Sequence, residues 1–243
     1  MNRRDFVGAL TGLAAAATIP LAGCSTAVGE VPAPEVPRER MDGWTRIDEA
    51  RETPVEEEVG DATIEGKAHT VVYEDERLRD EVEAAIGELD RPVSILAASR
   101  VAFSGGLGGA AGTDAGVAEA VERAARERFE SRLREAGIEN IERTGATTVA
   151  VESGAEARYR RYVADLPLDT DAADAAGVDS IAVAGDLATW RAEESSLIVG
   201  AVYPAESLAA AAERQDGDPG GVEINFDAAA YRDDVRAIVT SVE

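Results

Sequence analysis

Three stretches of the chain each hold two strand-length segments joined by a turn too short to do more than reverse direction. Residues 44–58 and 62–74 flank Gly60-Asp61, residues 138–152 and 155–166 flank Ser153-Gly154, and residues 180–190 and 197–203 flank Arg191-Ala192-Glu193-Glu194. A strand pair closed this tightly is antiparallel, because a parallel return needs a crossover of a dozen residues or more. A further run, 93–103, opens after Pro92 and is apolar without alternation, the pattern of a central strand buried on both faces.

Helices are set between these strands. Leu78, Val82, Ala85 and Ile86 keep helical spacing over 76–87, with Gly87 placed to end the helix. Val117, Val121, Ala125, Phe129 and Leu133 form one apolar stripe after a cap at Thr113 or Asp114, and Gly137 can stop it. A short helix is expected over 207–213, and a terminal one over 227–241 with Tyr231, Val235, Ile238 and Val239 on one face. The order is βαβ-like early and then mostly paired strands. The expectation is an α+β fold with a mainly antiparallel sheet and three to four helices packed on it, forming one domain over 44–243. No repeat of 20–50 residues occurs. The last third, paired strands followed by an amphipathic helix, resembles the PsbP-like sandwiches in element order.

Charge limits what such a domain can meet. Asp and Glu number 48 against 24 Lys and Arg, a formal net charge of −24, and Lys67 is the only lysine. Self-repulsion of this size works against a compact state. It is screened at molar salt, where the Debye length falls to about 3 Å. The composition therefore resembles a halophile surface. The acids are interleaved with apolar residues rather than gathered in a disordered tail. No basic patch is available for nucleic acid. Screening in brine also makes the charge poor evidence for a basic partner.

The N-terminus carries an address. Arg3-Arg4-Asp5-Phe6-Val7 opens an apolar run to Ala22, and the run ends in Leu21-Ala22-Gly23-Cys24. A spanning helix would sit at its short limit there and is weakened by Gly8, Gly12 and Pro20. The first motif resembles a twin-arginine export signal and the second a lipobox. With the acidic composition, the chain resembles the secreted lipoproteins of halophilic archaea. That resemblance implies removal of residues 1–23, lipid on Cys24, and retention on the outer face of the cell membrane. The single cysteine then leaves no disulfide. Residues 24–43, with Pro32, Pro34 and Pro37, are expected as a spacer of about 50 Å at full stretch. The alternative is a loop packed on the domain.

Candidate chemistry is sparse. Gly106-Leu107-Gly108-Gly109-Ala110-Ala111 fits a dinucleotide loop, yet no parallel βαβ series surrounds it and no Lys-Ser/Thr pair follows. His69 is the only histidine and is expected as a solvent-facing strand residue. A His-dependent zinc site is excluded, because the cysteine is committed to lipid. Asp169, Asp171 and Asp174 begin like a calcium loop, but Asp174 and Ser180 stand where glycine and glutamate are needed. Asp216 and Asp218 make a looser pair. Arg158, Arg160 and Arg161 with Tyr159 and Tyr162 form the one locally basic, aromatic segment, suited to an anionic ligand or glycan or to pairing with acids on a neighbouring strand. Trp44 and Trp190 are expected as core anchors. No catalytic residue, cofactor or metal ligand is assigned. The expectation is a non-catalytic ligand- or partner-binding domain at the envelope, held to the membrane through Cys24. The alternative is an envelope hydrolase using carboxylates, with 169–174 as a metal platform.

Overall fold

The structure, a computed structural model, describes residues 29–59, 62–89, 91–103, 114–215 and 226–243. Arg3, Arg4, Cys24, the Gly60-Asp61 turn, the glycine-rich 104–113 segment and the Asp216/Asp218 pair lie outside the described residues. Seven strands form one sheet: β1 (Trp44–Val59), β2 (Ala62–Asp75), β3 (Ile95–Phe103), β4 (Glu139–Ala150), β5 (Glu156–Pro167), β6 (Ser180–Ala192) and β7 (Ser195–Pro204). Their order across the sheet is β1-β2-β3-β7-β6-β5-β4, and every neighbouring pair is antiparallel. The fold is α+β. The early segment is not a parallel βαβ unit, because β3 returns antiparallel to β2 across the helix between them.

Five helices are present among the described residues: α1 (Glu76–Ile86), α2 (Asp114–Glu135), α3 (Asp171–Ala176), α4 (Leu208–Arg214) and α5 (Ala228–Ser241). The one beyond expectation is α3, inside the stretch read as an acidic loop. Thr170 caps it by accepting from the Ala173 N–H, and Gly177 ends it in a left-handed conformation. No described helix is long and apolar enough to cross a membrane.

The helices divide between the two faces of the sheet. Leu78, Val82 and Ile86 of α1, Val121, Phe129 and Leu133 of α2, and Leu208 and Ala212 of α4 pack with Val72, Tyr162, Val183 and Ile198 on one face. Val235, Ile238 and Val239 of α5 pack with Leu96, Tyr159, Trp190, Val199 and Tyr203 on the other. β3 and β7 lie at the centre, between the two layers, and nearly every residue in them is buried. Their unbroken apolar pattern follows from that position. Trp190 is buried as expected, whereas Trp44 is only half-buried at the start of β1.

The stretch expected as a free spacer is packed from Val31 onward. Val31 is 2 % exposed. Its N–H donates to Glu52 Oε1 at 3.1 Å, and its carbonyl accepts from His69 Nδ1 at 3.0 Å. Glu35 and Glu243 exchange both backbone hydrogen bonds, at 2.6 and 2.9 Å, and Arg40 pairs with Glu152. Val36 and Met41 add apolar contact beside α5. Three prolines stiffen this segment, so little entropy is lost when the sheet captures it.

His69 is the pin for this strap. Its Nε2 lies 2.8 Å from Glu49 Oε1 while Nδ1 faces the Val31 carbonyl. Both ring nitrogens thus face oxygens, one on the strap and one on β1. Arg51, and then His69, hold the Glu49 carboxyl at about 2, far below the usual carboxylate range. A depressed carboxyl stabilises the fold above its unfolded value near 4.3 and loses that contribution as pH falls through the folded value. The strap is therefore expected to stay docked at pH 4 and release between about pH 3 and pH 2. Hydrogen exchange would show this as loss of protection at the Glu35 and Glu243 amides while the β3–β7 amides stay protected. Release already complete at pH 4 would contradict the Glu49 anchor.

Candidate functional site

β5 passes out from under the α5 layer partway along its length, and this creates the site. On the α5 face, Ala157 and Tyr159 are buried but Arg161 and Val163 are exposed, Val163 to 41 %. Val163 is the one large apolar side chain so exposed among the described residues. Cross-strand pairing places Arg161 beside Asp186 and Gly145, and Val163 beside Ala184 and Glu142. The Arg161 guanidinium spreads over Gly145, with Nη2 3.3 Å from where a β-carbon there would stand. The floor is thus an open strip that bears one arginine at its covered end and the exposed Glu142 beside Val163.

A polar knot lies at the covered end of this strip. Asp186 is 2 % exposed, and its Oδ2 accepts from the Tyr203 hydroxyl at 2.7 Å. The Tyr159 hydroxyl bonds the same carboxyl. Burial pushes the Asp186 carboxyl up; the two hydroxyls and the charges of Arg161 and Arg236 oppose that shift without cancelling it. Burial and the neighbouring carboxyl push Tyr159 and Tyr203 well above the usual tyrosine range, so both stay protonated donors. Arg236, exposed on α5, lies 5.6 Å above the Tyr159 ring. Neither Arg161 nor Arg236 has an ion-pair partner among the described residues; both act on the buried Asp186 carboxyl only through their charge, and its hydrogen bonds come from tyrosines.

The other arginines of the segment are committed elsewhere. Arg158 Nη1 lies 2.9 Å from Glu122 Oε2 and Arg160 pairs with Glu122 Oε1, so one buried carboxylate on α2 holds both. The acid comes from a helix, not from the neighbouring strand. Tyr162 turns to the opposite face against Phe129, ring centroids 5.3 Å apart. Only Tyr159 and Arg161 of the five come together at the knot.

His69 is 7 % exposed rather than solvent-facing, because the strap covers it, and it lies apart from the knot on β2. Asp171 and Asp174 fall in the first turn of α3, which is a capped helix and not a calcium loop. No group of three or more His, Cys, Asp or Glu is arranged to hold a metal among the described residues. A small cavity at the head of α2 is lined by Val121, Arg158, Thr189, Trp190 and Ser196. The remaining buried acids are engaged. Glu74 lies 3.3 Å from Arg79, and Asp75 caps α1 and accepts from the Tyr231 hydroxyl at 2.8 Å.

Asp186, Tyr203, Arg236 and Glu122 do not stand out in a motif search. Asp186 does leave a trace: it is the lone charge between Ser180 and Trp190 in an otherwise apolar strand, and a charge there must be paired. Architecture and site together describe an α+β sandwich with an open, arginine-bearing strip of sheet. The chain belongs to the family described as domain of unknown function DUF6517, whose model matches residues 33–243. That match takes in most of the strap along with the sheet. No curated protein and no solved structure matches the chain.

Proposed function

We propose that this is a lipid-anchored domain at the outer face of the cell membrane that binds an anionic group on the open strip beside α5. The observation that carries the binding site is the pair Arg161 and Arg236, exposed and without ion-pair partners among the described residues, in a chain with twice as many acids as bases. In brine only contact-range pairing survives screening. A planar guanidinium engaging a carboxylate or phosphate through two parallel hydrogen bonds is such a contact. Val163 and Ala184 supply apolar floor for the rest of a ligand. The buried acids of the described residues are tied to arginines, tyrosines or a helix cap, which favours binding over carboxylate-driven hydrolysis.

Inorganic phosphate and a simple dicarboxylate are suitable probes, read by NMR shifts of the Val163 methyls and the Arg161 Nε–H. Arg161→Glu is expected to weaken binding at least about tenfold with stability unchanged, since charge-assisted bonds of this kind contribute about 1.5–3 kcal/mol. Equal binding by the variant, or none by the native protein, would remove the site.

The anchor rests on Arg3, Arg4 and Cys24 and has its own test. Cys24→Ser is expected to move the protein from the membrane fraction to the medium, and Lys-Lys in place of Arg3-Arg4 to stop export. Continued membrane retention of Cys24→Ser would refute lipidation. Only six residues lie between Cys24 and Val31, the first packed residue among those described, a span of about 25 Å at full extension. The domain would then sit close to the membrane rather than on a long stalk.

A further inference from the structure

The two edges of the sheet are built differently. β1, at one edge, carries Arg46, Asp48, Glu49, Arg51, Glu52 and Glu56, contains Pro54, and is broken by two register shifts. Charges, proline and bulges are the usual means by which an edge strand is kept from pairing with another chain. β4, at the other edge, has them only in its first half, where Glu139, Glu142, Arg143 and two irregularities lie. From Thr144 to Val151 there is no charged residue, in a chain where 30 % of residues are charged. Gly145 to Ala150 run in unbroken register with Arg161 to Glu156 of β5. Ala146, Thr147, Thr148 and Ala150 are exposed, and among the described residues no strand pairs with the outer side of β4.

We propose that Gly145–Ala150 of β4 pairs antiparallel with the same segment of a second copy, joining two sheets into one of fourteen strands. Charge selects the occupant. Two bodies of net charge −24 repel over most of their surfaces, and this uncharged segment is where two copies approach at least electrostatic cost. An extended cationic partner strand would find no acid to pair with on it. Geometry agrees with self-pairing. A two-fold axis normal to the sheet reverses the strand while keeping each face on its own side, so a residue must oppose one of the same face. Thr147 or Thr148 then stands opposite itself, and threonine pairs across antiparallel strands are favourable. Six residues of ladder make a small interface, so the pairing is weak in dilute solution and strengthened wherever copies are concentrated on one surface.

Cysteine cross-linking of the full chain tests this, in a Cys24→Ser background so that the introduced thiol is alone. Thr147→Cys or Thr148→Cys is expected to give a covalent homodimer under mild oxidation, at least tenfold more than Thr45→Cys on the exposed part of β1. Adding Ala146→Lys is expected to abolish the cross-link while circular dichroism stays unchanged. Raising salt, over the range in which the spectrum is constant, is expected to increase the cross-linked fraction as repulsion is screened. Equal cross-linking at both edges, none at either, or a fraction that falls with salt would overturn the proposal. Capture of a different protein by Thr147→Cys or Thr148→Cys would overturn it in favour of a foreign strand.

Discussion

Gly66→Ala is expected to destabilise the domain by about 3 kcal/mol, lowering the melting temperature by about 8 °C. Gly66 lies in β2 between Val55 of β1 and Phe103 of β3. A β-carbon there would stand 2.5 Å from the Ala102 carbonyl oxygen and 2.8 Å from Phe103 Cδ1. The oxygen belongs to a backbone held on one side by β2 and on the other by β7. It cannot rotate away, so β3 itself must move, and β3 is buried against both layers. Gly154→Ala is the control. It sits at φ +85° in the β4–β5 turn with nothing within 4 Å, so only conformational strain of about 1 kcal/mol applies. Chemical denaturation in brine separates the two, and a Gly66→Ala loss no larger than that of Gly154→Ala would contradict the close strand approach.

Local signals carried most of the architecture. Gly87, Gly137, Ser207 and Asp227 stand at helix ends where their chemistry places them. Ser153-Gly154 closes its hairpin as expected. The β6–β7 turn is tighter than expected, two residues at Glu193-Glu194, because cross-strand pairing extends both strands beyond their apolar part. What escaped were non-local events. The prolines of 32–37 read as a spacer because nothing local shows that Glu52 and His69, more than twenty residues away, accept from the Val31 N–H and donate to its carbonyl. The same contacts bury His69, which alternation alone placed in solvent. Helix α3 was hidden by a partial calcium-loop match, although Thr170 and Gly177 bracket it as cap and stop.

The candidate site was legible only at one corner. Arg158 to Tyr162 drew notice as a basic, aromatic segment, and the sheet then sorted its side chains by face. Arg158 and Arg160 went to Glu122, Tyr162 to Phe129, and Tyr159 and Arg161 to Asp186. Strand alternation predicts that sorting but not the partners, which come from β6, β7, α2 and α5. The strip is open because α5 covers β5 only as far as Tyr159, and that limit depends on the path of a helix tied by Tyr231 to Asp75 and to Ser94 at 2.9 Å. Such a path is fixed by tertiary contacts and leaves no sequence period to read.

Asp186→Leu is expected to cost about 3 kcal/mol and, against that loss, to tighten binding of the phosphate probe several-fold. The cost arises because the Tyr159 and Tyr203 hydroxyls are left buried without their acceptor, at about 1–3 kcal/mol each, offset in part by removal of a desolvated carboxyl. Asp186→Asn keeps an acceptor oxygen and is expected to cost under about 1 kcal/mol. Combining Asp186→Leu with Tyr159→Phe and Tyr203→Phe removes donors and acceptor together and is expected to recover at least half of the loss. The pH dependence has a definite sign. The folded carboxyl holds its proton more tightly than the unfolded one, so the native protein loses stability as pH rises from about 4 through the folded value, and Asp186→Asn does not. The gain in binding follows from charge: Asp186 is the buried carboxyl nearest in effect to Arg161 and Arg236, and removing it removes a negative charge that opposes an anion at the strip. A purely structural knot would lower stability and leave phosphate affinity where it was. Thermal melts and phosphate titrations on the same variant therefore separate a carboxyl that only holds the sheet to α5 from one that also sets the charge of an anion site.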